Sequence, residues 1–192
     1  MSAALEHTRL IYVSQATFKP FHTPEGMECH VAEILAVSRK NNQQQQLVGA
    51  LYYGNGKFFQ CLEGEKNAVQ ALYTKLQDDP RHDRLTILHQ EPIQQLSFQN
   101  WDMKYAMLDQ HARDFIKQHG FRKFDPYQFT PSMVQQFVQL MQLNGTDVPE
   151  AVLQHAINTP IPEVKPVNAL AYLVIAAGMI ALLFGLVSLS NL

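Results

Sequence analysis

Phe58-Phe59-Gln60-Cys61-Leu62-Glu63-Gly64 reads as a β-strand in which one position that a core strand would give to a hydrophobe carries an amide. Gln60 is the residue to account for. Its side chain presents a carbonyl or an NH2 group to one spot depending on a rotation, and left buried without a partner it would cost roughly 1–3 kcal/mol. Residues able to supply partners lie elsewhere in the chain: Tyr12 in the early strand Leu10–Ser14, the pair Asn41-Asn42 closing a helix, and Trp101 with Met103 in a late strand.

Around this stretch the hydrophobic pattern alternates between periods of two and 3.6. Leu47–Tyr53 and Lys57–Leu62 are β-rich runs whose junction Gly54-Asn55-Gly56 suits a hairpin. Thr23-Pro24-Glu25 predicts a helix start, with Val31, Ile34, Leu35 and Ser38 at helical spacing up to Asn41-Asn42, after which Gln43–Gln46 bridges to the next strand. Asn67–Asp78 predicts a second amphipathic helix with Val69, Leu72, Tyr73 and Leu76 inward. Leu85–Glu91 and Trp101–Met107 are strands again. The order β-α-β-β-α-β with one added strand is an α+β, ferredoxin-like sheet with two helices on one face.

Past Leu108 the pattern is helical over Arg113–Gly120, Met133–Leu143 and Pro149–Ile157, with Phe121, Phe124, Tyr127 and Phe129 placed to dock these helices on the sheet. Thr159–Pro166 holds three prolines in eight residues, a stiff linker. The organisation expected is a sensor domain over 8–108, a helical extension over 109–158, a linker over 159–166 and a C-terminal segment over 167–192. That last segment carries no charged residue, and as a helix Ala169–Leu189 would reach about 31 Å, against roughly 30 Å of hydrocarbon. It predicts a single-pass C-terminal membrane anchor with the remainder cytoplasmic. The small-residue stripe Ala177, Ala181, Gly185 offers a face for homo-oligomer contacts.

A net charge of −2 without a basic, aromatic-interleaved stripe argues against nucleic acid. Cys29 and Cys61 lack metal or redox spacing and read as small buried hydrophobes; the eight histidines show no metal-ligand spacing. No hydrolase elbow or Cys/His dyad is visible, so no enzymatic activity is predicted.

The ordered set LIYVSQA, SRKNN, LVGALYY, FFQCLEG, DDPRH, QEPI and NWDM resembles the BLUF family of blue-light sensors over roughly Thr8 to Leu108. The resemblance implies non-covalently bound FAD, because no natural side chain absorbs blue light. It implies that the flavin lies between the two helices, with its ring on Ile34 and its polar edge at Gln60 and Asn42. Asn41 then serves the ribityl or phosphate side, and Lys75 lies near the diphosphate.

In the family's scheme Tyr12 donates to the excited flavin and Gln60 stands between phenol and ring, its amide returning in a changed orientation or tautomer. Trp101 and Met103 couple Gln60 to the last strand, and the output goes to an unknown downstream signalling protein. Each residue also has a plainer role. Tyr12 fits a core aromatic, Asn41-Asn42 a helix C-terminus, Trp101 and Met103 a strand core, and Lys75 a solvated helix face. The rival functions are a light-insensitive flavin or redox protein and a cofactor-free membrane-tethered interaction module.

Overall fold

A computed structural model of the chain describes residues 6–24, 26–98, 104–106, 110–144 and 148–161. All of the elements named below lie in the compact unit Met1–Pro160. They are β1 (His7–Ala16), α1 (Cys29–Gln44), β2 (Val48–Gly54), β3 (Lys57–Glu65), α2 (Lys66–Gln77), β4 (His82–Ile93), β5 (Lys104–Ala106), α3 (Gln110–Gln118), α4 (Pro131–Asn144) and α5 (Glu150–Asn158). The sheet runs β4-β1-β3-β2-β5. Its first four strands pair antiparallel and β5 joins β2 in parallel, so the ferredoxin-like order read from the periodicity is the order found.

Asn55 and Gly56, both at positive φ, close the β2–β3 hairpin in two residues, the left-handed pair that matches the twist of the flanking strands. Period two then sorts β3 between two cores. Phe58 and Leu62 face one with Leu10, Tyr12, Ile34, Leu35, Val69 and Tyr73. Phe59 and Cys61 face the other with Ile11, Val13, Tyr52, Phe115 and Phe137. Helices α1 and α2 cover the first face, and α3 and α4 the second. Strands β2 and β3 are therefore wrapped on both sides, whereas β4, at the edge, is largely accessible.

Phe124 and Phe129, buried in the second core against Phe137, tie the 119–130 connection to the sheet. The chain then returns to the first core, where α5 lays Leu153 and Ala156 against α1 and Arg39 donates to the Val148 carbonyl at 2.8 Å.

Helix α1 begins later than Thr23-Pro24-Glu25 suggests. The Thr23 backbone and hydroxyl close a turn on Met27, with Gly26 left-handed, and the helix starts only after Glu28. Buried Glu28 caps it, one carboxylate oxygen accepting from Val31 N–H at 2.7 Å and the other from Phe21 N–H at 3.0 Å. The far end runs two residues past Asn42, and the left-handed residue is Gln46 at φ 53, so the asparagine pair belongs to the last turn and not to the cap.

The expected membrane anchor is corrected. Among the described residues no helix is long and apolar enough to cross a membrane. The stretch 167–192 that prompted the expectation lies outside the described residues, as does the Ala177, Ala181, Gly185 stripe, and the single-pass placement is withdrawn.

Candidate functional site

Antiparallel register sets Tyr12 of β1 directly opposite Gln60 of β3, on the face covered by α1 and α2. Both side chains are buried, and the Tyr12 hydroxyl donates to Gln60 Oε1. Burial raises the phenol well above its ordinary pKa, and the nearby charge of Asp79 and the Tyr73 phenol add to the effect, so the proton stays on oxygen at neutral pH. The Tyr73 ring meets Tyr12 edge-on with centroids 5.9 Å apart, which fixes the phenol from the α2 side.

Two residues along β1, on the same face, Ser14 Oγ pairs with His82 Nδ1 at 2.8 Å. Neither was singled out as a site residue in the sequence reading, although LIYVSQA and DDPRH contain them. The signal available was positional: Ser14 is a polar residue in period-two register with Tyr12. Next to His82, Arg81 forks onto Asp79, with Nη2 at 2.6 Å from Oδ2.

Burial pushes the His82 imidazole down to about 4, against an opposing pull from Asp79. His82 is thus neutral in the fold, whereas in the unfolded chain it gains a proton as pH drops below its ordinary 6.5. The contribution is fully present above pH 6.5 and is lost as pH falls from 6.5 towards 4, on the order of 3 kcal/mol in the limit. Urea unfolding at pH 7 and pH 5 should show this loss in the parent and a smaller loss in His82→Gln. Equal pH dependence in both proteins would show that other groups set it.

Three buried polar atoms on this side of the sheet have no hydrogen-bond partner: Asn42 Nδ2 on α1, the Tyr53 hydroxyl on β2 and His82 Nε2 at the start of β4. Burial lifts the Tyr53 phenol to about 12, so it too stays protonated. Orphans of this kind cost roughly 1–3 kcal/mol each unless a ligand satisfies them. Donors and acceptors of both kinds, set among Ile34, Phe58 and Tyr73, match a flat heteroaromatic ring that has carbonyl oxygens and ring nitrogens at its rim. The arrangement fits a flavin.

The other site residues fall as follows. Ile34 and Asn42 are buried on α1, Ile34 in the core that holds Tyr12, while Asn41 is exposed on the adjoining helix face. Lys75 is exposed in the last turn of α2, where a cation also complements the helix dipole. Trp101 and Met103 lie outside the described residues. Cys61, next to Gln60, points into the opposite core with its thiol pKa raised by burial, and Cys29 is buried as well.

On that opposite face, three residues beyond Gln60, lies a polar cluster that sequence alone left invisible. Glu63 is fully buried and receives Arg9 Nε at 2.7 Å, Ser97 N–H at 2.6 Å and Ser97 Oγ–H at 2.6 Å. Arg9 also reaches Glu91 at 2.9 Å, and Gln142 of α4 donates to Ser97 Oγ at 2.6 Å. Strands β1, β3 and β4, the segment after β4 and helix α4 thus meet at one buried carboxylate.

Residues 8–104 match a family described as BLUF, sensors of blue-light using FAD. The photoactivated adenylate cyclase subunit beta of Euglena gracilis is 39% identical over 88 residues, which make up 46% of this chain and 10% of that protein. The chain spans about a tenth of the length of such curated relatives. Among solved structures, the photo-activated state of BlsA is 31% identical with a TM-score of 0.66, covering 74% of this chain and 99% of that one. Its ground state matches with a TM-score of 0.65, again at 31% identity, over 74% of this chain and 91% of that one.

Proposed function

Because the chain belongs to the BLUF family, the blue-light sensors that use FAD, we propose that it converts light absorption into a rearranged hydrogen-bond set centred on Tyr12 and Gln60 and passes that change to a protein partner. FAD supplies the blue-light absorption when bound. The observation that carries the reading is the buried hydrogen bond from the Tyr12 hydroxyl to Gln60 Oε1 across a fixed strand register. A phenol aimed at an amide oxygen holds its proton against a group that can accept it. The amide it addresses has two orientations that exchange donor for acceptor.

Ile34, Asn41, Asn42 and Lys75 are the residues that would hold the cofactor, with Ser14, Tyr53 and His82 added by the orphaned atoms and the Ser14–His82 pair. Apolar walls and burial keep water from competing with the Tyr12–Gln60 bond. Glu63 offers a continuation: it sits on the strand of Gln60 and, through Ser97, on α4. Curated relatives are named as photoactivated cyclases, and a protein effector, joined or separate, is the corresponding partner here.

Absorption spectroscopy of the purified protein tests the reading. The parent should carry a yellow chromophore whose band shifts reversibly to the red under blue light. Tyr12→Phe should keep the chromophore and lose the normal shift. A bound flavin with no shift in the parent would favour the light-insensitive flavin protein. An unchanged shift in Tyr12→Phe would make Tyr12 a packing residue only.

A further inference from the structure

A cleft of about 430 Å³ opens where α3 hands over to the segment before α4, on the side of the molecule that the flavin-site residues leave unused. Its construction follows from one glycine. Gly120, left-handed at φ 78, ends α3, with its own N–H donating to the Lys117 carbonyl at 3.0 Å and the Phe121 N–H donating back to the Ile116 carbonyl at 3.0 Å. That reversal folds Phe121, Arg122 and Lys123 back over the face of α3 that carries Arg113 and Lys117, one turn apart.

The floor is apolar, made by Ile116, Phe121 and Phe124, and the rim is four cations with no acidic residue among the lining. In a chain of net charge −2 this is a concentrated reversal of sign. Lys117, Arg122 and Lys123 have no ion-pair partner among the described residues, and all three are exposed. Lys117, Arg122 and Lys123, gathered at one apolar depression, repel one another weakly through solvent, and an anionic occupant would relieve that repulsion.

The cleft is also fastened to the sensor sheet. Asn55, at the tip of the β2–β3 hairpin, donates through Nδ2 to the Phe124 carbonyl at 3.1 Å, and Lys57 of the same hairpin lies 3.8 Å from Asp125.

We propose that this cleft is a docking surface for an acidic segment of a partner protein, with one aromatic or aliphatic side chain seated between Phe121 and Phe124 and carboxylates on the four-cation rim. Long, exposed Lys and Arg side chains around a shallow apolar seat suit a peptide, which supplies several carboxylates at chain spacing together with an anchor. None of the lining residues is one assigned to the flavin site, so the binding test is separate from the photochemistry.

Fluorescence anisotropy with the full chain and a fluorescein-labelled peptide, Glu-Glu-Asp-Phe-Leu-Asp-Glu-Glu, would test it in the dark. The parent should bind, with affinity falling as salt rises. Arg122→Glu/Lys123→Glu should weaken binding by about tenfold or more, and replacing the peptide's Phe-Leu by Ala-Ala should weaken it several-fold. The control Lys19→Glu/Lys40→Glu makes the same change in net charge away from the cleft and should leave binding near the parent's. Circular dichroism matching the parent's would show that the exposed changes leave the fold intact. No binding by the parent, or equal weakening by the control pair, would overturn the proposal. So would a parent that ignores the peptide but binds phosphatidylserine vesicles through Arg122 and Lys123, since the occupant would then be a lipid surface.

Discussion

Gln60→Leu retains flavin and loses the light-induced absorption shift; this is the largest functional effect expected of a single substitution. Leucine nearly matches glutamine in volume, so the strand and the first core keep their packing. It neither donates nor accepts, so the Tyr12 hydroxyl loses its acceptor and no second orientation exists for light to populate. The stranded phenol should lower stability by about 1–3 kcal/mol, too little to unfold a domain of ordinary stability. Absorption spectra before and after blue illumination, with flavin content measured on the same sample, read both halves of the expectation. A normal shift in this variant would remove Gln60 from the mechanism. Loss of flavin would move its role from switching to binding.

The largest effect on stability is expected at Arg9, on the sheet face opposite the flavin residues. Arg9→Met leaves the Glu63 carboxylate, which has no solvent exposure, with the two Ser97 donors and no compensating charge. Breaking a buried pair in this way costs about 3–5 kcal/mol, whereas removing both charges together is often near neutral. The double change Arg9→Met/Glu63→Leu should therefore recover most of the loss. Urea denaturation of parent, single and double variants forms the test. A single variant within about 1 kcal/mol of the parent would mean that solvent reaching Arg9, which is 21% exposed, screens the pair more than the geometry implies.

What was legible in the sequence was what periodicity and turn chemistry dictate. The β-rich runs Leu10–Ser14, Leu47–Tyr53 and Lys57–Leu62 gave the first three strands, and Gly54-Asn55-Gly56 gave the hairpin that joins the second to the third. The juxtaposition of Tyr12 and Gln60 came only with the antiparallel pairing of β1 and β3, which joins residues 48 positions apart and which no local pattern dictates. The helix start was misplaced because Thr23-Pro24 has the composition of a cap, while the residue that caps is Glu28, a carboxylate buried by contacts from Phe21 and Val31 that no local pattern announces. Ser14, Tyr53 and His82 were missed for a related reason: each becomes informative only once the sheet has buried it and left it with or without a partner. The cluster around Glu63 joins residues separated by 34, 54 and 82 positions in the chain, a range over which composition carries no signal. The apolar tail prompted a membrane anchor on hydropathy alone, and that expectation does not stand: among the described residues no helix is long and apolar enough to cross a membrane.

Strand β3 has a neighbour on each edge and a packed layer on each face. Its amide protons can exchange with solvent only when the whole fold opens, whereas those on the outer edge of β4 exchange through local breathing. A strand held on four sides is stiff, and sliding it would disturb both cores at once. On the proposed reading, rotation of one amide is the inexpensive motion at Gln60, and its effects are expected where the sheet is loosely held. The measurable trace of illumination in this protein therefore belongs in the exchange rates of its margins, with its centre left quiet.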